Sequence, residues 1–166
     1  MTAPRRVLRE SIRVERDPRF WTTIANDPAV RAALGETPPE TIGALAALPG
    51  VLPLAARRGG FLFVMLSAGV LEMHSLFAPE GWGREAAGAG AAALGFVFHQ
   101  GAALVTTYEV EGRPRSKPPH RAGFAPQGDW RAGPTGRLRL WILTKSAWEA
   151  SPYGRPDTCQ PPSSEG

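Results

Sequence analysis

Two neighbouring stretches hold the side chains best suited to chemistry. In Val70-Leu-Glu-Met-His-Ser-Leu-Phe77 the alternation of an extended chain puts Val70, Glu72, His74 and Leu76 on one face. A carboxylate and an imidazole are proton-handling groups. An imidazole ordinarily titrates near about pH 6.5, which suits removal of a proton from an amine. The same two residues also fit a plain solvated strand face.

The second stretch is Pro79-Glu-Gly-Trp-Gly-Arg-Glu85. Pro79 ends the strand, because it offers no donor to a sheet ladder. Gly81 and Gly83 allow a sharp turn and a close approach to the backbone. From Arg84 to His99 the chain is dominated by alanine and reads as a long helix. The first amides of a helix have no internal partner, and with the helix dipole they form an anion site suited to a phosphate or pyrophosphate. The turn has no lysine, so it is not a Walker loop. Glycine turns of this kind also join strands to helices for purely structural reasons.

The elements that must position these stretches can be read in order. Val7 to Val14 alternates and is expected as a first strand. Asp17-Pro18 and Asp27-Pro28 each pair an N-cap with a proline at the first helical position, so two short helices follow, the second stopping at Gly35. Thr37-Pro-Pro-Glu40 fits a capping box for a third helix carrying Ile42, Leu45 and Leu48. Phe20 and Trp21 are expected in the core. Val51–Ala56, Gly60–Leu66 and Val70–Phe77 read as three strands joined by tight turns, an antiparallel meander. Ala102–Val110 returns as a strand after the alanine-rich helix, and such a crossover favours a parallel pair. Glu111–Pro119 is polar and carries Pro118-Pro119, so it is expected as a loop. Leu138–Leu143 is the last strand. From Ser151 the chain is rich in Pro, Gly and Ser and is expected to be disordered.

Composition sets the limits. The chain has 166 residues, 43% of them hydrophobic, and a formal net charge of +4, which suits one globular domain. The arginines are spread along the chain without a dense basic block, which argues against a nucleic-acid surface. No apolar run is long enough to span a bilayer, and no apolar segment follows the N-terminal Met-Thr-Ala-Pro-Arg-Arg. The single cysteine, Cys159, cannot form an internal disulfide. A cytoplasmic location is the expectation, and no metal site is expected.

The order of elements resembles the GCN5-related N-acetyltransferase (GNAT) fold, over about residues 5 to 146. Phe77-Ala-Pro79 stands where that family has its V-x-P strand end. Glu80-Gly-Trp-Gly-Arg-Glu85 stands at its pyrophosphate loop, and Ala122-Gly-Phe124 at the Gly-Phe before its penultimate strand. Ala25-Asn-Asp-Pro-Ala-Val-Arg31 looks like a helix start of a bacteriophage-type GNAT-like branch. The resemblance implies an α/β (α+β) domain over 1–148 with a tail at 149–166. Its mixed central sheet would have an antiparallel N-terminal half, a parallel splayed central pair, and flanking helices.

It also implies acetyl-CoA as cofactor. Leu76 and Phe77 would pair with pantetheine, and Gly81, Trp82, Gly83, Arg84 and Glu85 would hold the pyrophosphate, with Trp82 either stacking on adenine or shielding the turn. Glu72 would be the general base, acting directly or through water, and His74 could serve as well. The implied activity is acetyl transfer to an amine of a small molecule or a protein. A homodimer is compatible with it.

Two features depart from the family pattern. Acidic residues occupy the first and last loop positions, Glu80 and Glu85, where a carboxylate would repel a pyrophosphate unless it faces away. The tyrosine often found before the Gly-Phe is replaced by Pro119, with His120 beside it. These departures fit an alternative: a non-catalytic, phage-type structural or virion-associated protein with the same fold, whose partners would be virion proteins.

Overall fold

The computed structural model describes residues 11–134 and 136–155. Its elements in chain order are strand β1 (Arg13–Val14), helices α1 (Pro18–Ala25), α2 (Pro28–Leu34) and α3 (Pro39–Ala47), and strands β2 (Val51–Ala55), β3 (Gly59–Ser67) and β4 (Val70–Phe77). Helix α4 (Arg84–His99), strands β5 (Leu104–Val110), β6 (Ala125–Gly133) and β7 (Gly136–Thr144), and helix α5 (Lys145–Ala150) follow.

The two short N-terminal helices start as their sequences dictate. Asp17 and Asp27 each accept a hydrogen bond from the second residue inside the helix, Arg19 N and Ala29 N, both at 2.9 Å, and a proline fills the first helical position of each. The third start differs from the expected capping box. Pro38, in extended conformation, is the N-cap, and no side chain caps the helix. Two consecutive prolines fix φ and push Thr37 one position too early for its hydroxyl to reach the first free amides.

Among the described residues the sheet has seven strands in the order β1-β2-β3-β4-β5-β7-β6. The pairs β1–β2, β2–β3 and β3–β4 are antiparallel, as the tight turns require. The α4 crossover makes β4 and β5 parallel, and the register there covers only Val70↔Leu104, Leu71↔Val105 and Glu72↔Thr106. β7 pairs antiparallel with β5 and with β6. Of the expected first strand only Arg13–Val14 is strand within the described residues; Val7–Glu10 lie outside them. α5 and most of β6 have no clear signal in the sequence.

Each side of the sheet has its own core. Phe61, Phe63, Met73, Phe77, Val105, Trp141 and Leu143 alternate onto the side covered by α4 and α5. Leu62, Leu76, Val51 and Ala55 face the other side, against Trp21, Ile24 and Ala46 of α1 and α3. Trp21 is fully buried, as expected, and its indole N–H donates to Glu15 O at 2.7 Å. Packing does not stop at residue 148: Tyr153 lies against the α4-side core, and the Ser151 hydroxyl donates to Trp148 O at 2.7 Å. Cys159 lies outside the described residues.

Candidate active site in the β4–β5 notch

The β4–β5 register ends at Glu72 and Thr106, and two threonine side chains of β5 still reach β4 there. The Thr106 hydroxyl donates to Leu71 O at 3.4 Å and the Thr107 hydroxyl to Met73 O at 2.9 Å. These bonds show which backbone groups of β4 face β5. Along a strand they alternate, so Leu71, Met73, Ser75 and Phe77 turn their main-chain groups toward β5. Ala78 N donates to Arg58 O at 2.9 Å on the opposite edge, which agrees with that alternation. β5 has turned away beyond Met73, so the main-chain groups of Ser75 and the N–H of Phe77 look into a notch. Leu76, expected to offer its backbone there, directs it toward β3 through its pairing with Gly60. Its side chain is buried in the α1–α3 core.

Glu72 and His74 meet on the α1–α3 face of β4. His74 Nε2 lies 2.7 Å from Glu72 Oε1, with side-chain exposures of 52% and 21%. The carboxylate lies within ion-pair distance of the imidazole, so a proton taken up by the ring is held beside a negative charge. The register Glu72↔Thr106 places Thr106 and Tyr108 of β5 on the same face across the start of the notch. The arrangement can therefore move a proton at the point where the strands separate.

Beyond Phe77 the chain makes a short 3₁₀ turn, Pro79–Gly81, and enters α4 through Gly83. Gly83 is the N-cap with φ +85° and ψ −114°, a backbone region essentially reserved for glycine. No atom lies within 4 Å of where its Cβ would be, so the space above the turn is open. No side chain caps the helix. The amides of Arg84, Glu85 and Ala86 come before the first helical bond, from Ala87 N to Gly83 O at 2.9 Å. Gly81 is buried, with Arg58 and Phe77 as its nearest neighbours.

The two acidic loop residues are disposed differently. Glu85 turns away from the notch: its Oε1 accepts from Arg58 N at 2.7 Å, and its carboxylate also faces the Arg58 guanidinium at 4.0 Å. The expected repulsion from this carboxylate is thereby directed into the β2–β3 turn. The Arg58 guanidinium also donates to Glu80 O at 2.9 Å, while Glu80 itself is exposed. Trp82 does not present a free ring for stacking. Its indole N–H donates to Phe77 O at 3.0 Å, and the Arg115 guanidinium lies 3.5 Å from its ring centroid. Arg84 is exposed at the first helical position.

Sequence reasoning missed Ser75, Thr107, Arg58 and Arg115. The first two become visible only once the register of β4 on β5 is known. The two arginines sit in turns brought to the loop by the fold, with no periodic signal of their own. Among the described residues no group of three or more His, Cys, Asp or Glu could hold a metal ion, and no helix is long and apolar enough to cross a membrane.

No protein-family model and no curated protein matches the chain. Solved structures do. The aminoglycoside acetyltransferase AAC(6′)-Ib in complex with paromomycin and acetyl-CoA is 18% identical with a TM-score of 0.68, over 89% of this chain and 98% of its own. A spermidine N-acetyltransferase chimera involving Vibrio cholerae SpeG is 14% identical with a TM-score of 0.67, over 86% and 99%. A probable acetyltransferase of the GNAT family from Chromobacterium violaceum is 17% identical with a TM-score of 0.67, over 90% and 97%. At these identities the likeness is one of fold: the chain has the GNAT fold, with its mixed sheet and splayed central pair, over nearly the whole length of those proteins.

Proposed function

We propose that this protein is an N-acetyltransferase that binds acetyl-CoA in the β4–β5 notch and transfers the acetyl group to a primary amine. The observation that carries the reading is the notch itself. An open strand edge, with the main-chain groups of Ser75 and Phe77 unpaired by β5, leads directly to an uncapped helix start behind Gly83. Such an edge suits the amides of a pantetheine arm, and the helix start suits the pyrophosphate at its end. Structures of the same fold hold acetyl-CoA or CoA, which supports this choice of ligand.

In this reading the chain's residues have distinct tasks. Phe77, with Ser75, aligns the pantetheine arm along β4, and Leu76 supports that strand from the core. Gly81 shapes the turn, and Gly83 keeps its upper side open. The amides of Arg84 and Glu85, with the Arg84 guanidinium, face the pyrophosphate, while Trp82 holds the strand end by its bond to Phe77 O. The His74 imidazole takes the proton of the incoming ammonium, directly or through water, and the Glu72 carboxylate beside it balances the charge it acquires. Bound acetyl-CoA would supply the acyl group: the amine nitrogen would form the new C–N bond as the C–S bond breaks, and the second proton it sheds would pass to the leaving thiolate. The acceptor is a small amine or a protein amine. The named substrates of the similar folds, an aminoglycoside and spermidine, make polyamines the first class to screen.

Calorimetric titration with acetyl-CoA, with free CoA as control, tests the reading. Micromolar binding, about −8 kcal/mol, is expected, followed by CoA release in the presence of a polycationic amine. No binding at millimolar cofactor would remove the enzyme reading. It would favour the alternative, a non-catalytic structural protein with the same fold.

A further inference from the structure

We propose that Arg115 is the principal side-chain cation for the cofactor's pyrophosphate, reaching it from the far side of the notch; the inference rests on the acetyl-CoA reading above. The 3₁₀ turn Pro114–Ser116 follows β5, and its Arg115 guanidinium lies 3.5 Å above the Trp82 ring, in the loop that follows β4. One side chain thus spans the two strand ends that have parted. A guanidinium stacked face-on uses its π surface and keeps its in-plane N–H donors for another partner. Among the described residues no carboxylate forms an ion pair with it.

The placement is held from both sides. The Ser116 hydroxyl accepts from Val110 N at 2.7 Å and lies 2.7 Å from Arg113 O, so the turn is tied to the last residue of β5. Trp82 is tied to β4 through Phe77 O. The loop's own charges are less favourable: Glu80 and Glu85 are acidic, Arg58 is engaged with Glu80 O and Glu85, and Arg84 is the one loop guanidinium. A planar fork held on Trp82, one residue before the helix N-cap Gly83, suits two phosphate oxygens at the helix start, and a bidentate contact of this kind is a strong one.

The test is calorimetric titration of the wild type, Arg115→Gln and Arg115→Lys with CoA and with dephospho-CoA, each at several salt concentrations. Arg115→Gln is expected to weaken both ligands by the same factor, about 10- to 100-fold. It should flatten the salt dependence of binding, and Arg115→Lys should recover part of the loss. Unchanged affinity overturns the inference. A loss for CoA alone overturns it in favour of the 3′-phosphate. A loss with the salt dependence intact means that Arg115 only packs on Trp82, and a gain means that the stack is a latch that keeps the cofactor out. If the wild type binds neither ligand, the acetyl-CoA reading itself fails, a result distinct from all of these.

Discussion

The 2.7 Å contact between His74 and Glu72 decides how the two residues should be told apart by substitution. If the imidazole takes the proton and the carboxylate only balances its charge, the two losses are unequal. His74→Ala should lower turnover by about 10²- to 10⁴-fold, and Glu72→Gln by less, because glutamine removes only the balancing charge and leaves the imidazole in place. Acetyl-CoA affinity should stay within about twofold in both, since neither side chain faces the loop. Initial rates on an accepted polyamine, beside calorimetry, check this; equal losses would return the base to Glu72. Glu85 is the opposite kind of acidic residue. Its side chain is 14% exposed and its oxygen holds Arg58 N, so its work is structural. Glu85→Ala is expected to cost about 1–2 kcal/mol in urea unfolding, the worth of a charge-assisted bond at a partly exposed site.

At the scale of elements, the joint between β4 and α4 is both the most informative and the most constrained part of the chain. With φ +85° and ψ −114°, Gly83 has open space around it, so a Gly83→Ala methyl meets no neighbour and its cost is conformational. That cost should be about 1–3 kcal/mol by denaturant unfolding. Thr107 governs the other side of the notch. Thr107→Val removes the donor to Met73 O and should cost about 1 kcal/mol. It should also speed amide hydrogen exchange of the residues around the parting point more than that of β2 and β3.

These joints also show what could be read from sequence. Val70–Phe77 and Arg84–His99 emerge with the expected bounds because alternation, a strand-ending proline and an alanine run all agree there. The direction of the Leu76 backbone could not be read, since it depends on which neighbour β4 pairs with at each step. The aim of the Glu85 carboxylate is equally hidden, because Arg58 reaches it through the β2–β3 turn. α5 escaped notice because six residues carry too little periodicity, although Trp148 packs on Phe98 with ring centroids 6.2 Å apart.

At the scale of the whole molecule, one sheet is shared by two cores, and this makes the notch a property of the entire fold. Trp21 fills the α1–α3 side and Trp148 the α4–α5 side, both buried. Each truncation to alanine removes a large buried ring and should cost about 3–5 kcal/mol, a large part of the stability of a domain this size. If the sheet couples the two sides, both variants should unfold in a single transition, with near- and far-ultraviolet circular dichroism giving the same midpoint. Separate midpoints in either variant would mean that one layer melts alone. A ligand bound between β4 and β5 touches strands that carry both cores, so it should protect both. Acetyl-CoA at about 100 times its Kd adds about 2.7 kcal/mol to a one-site protein. It should therefore raise the melting temperature of the Trp21→Ala and Trp148→Ala proteins alike. Protection of only one of them would place the cofactor outside the shared notch, against the helix layer whose core remained intact.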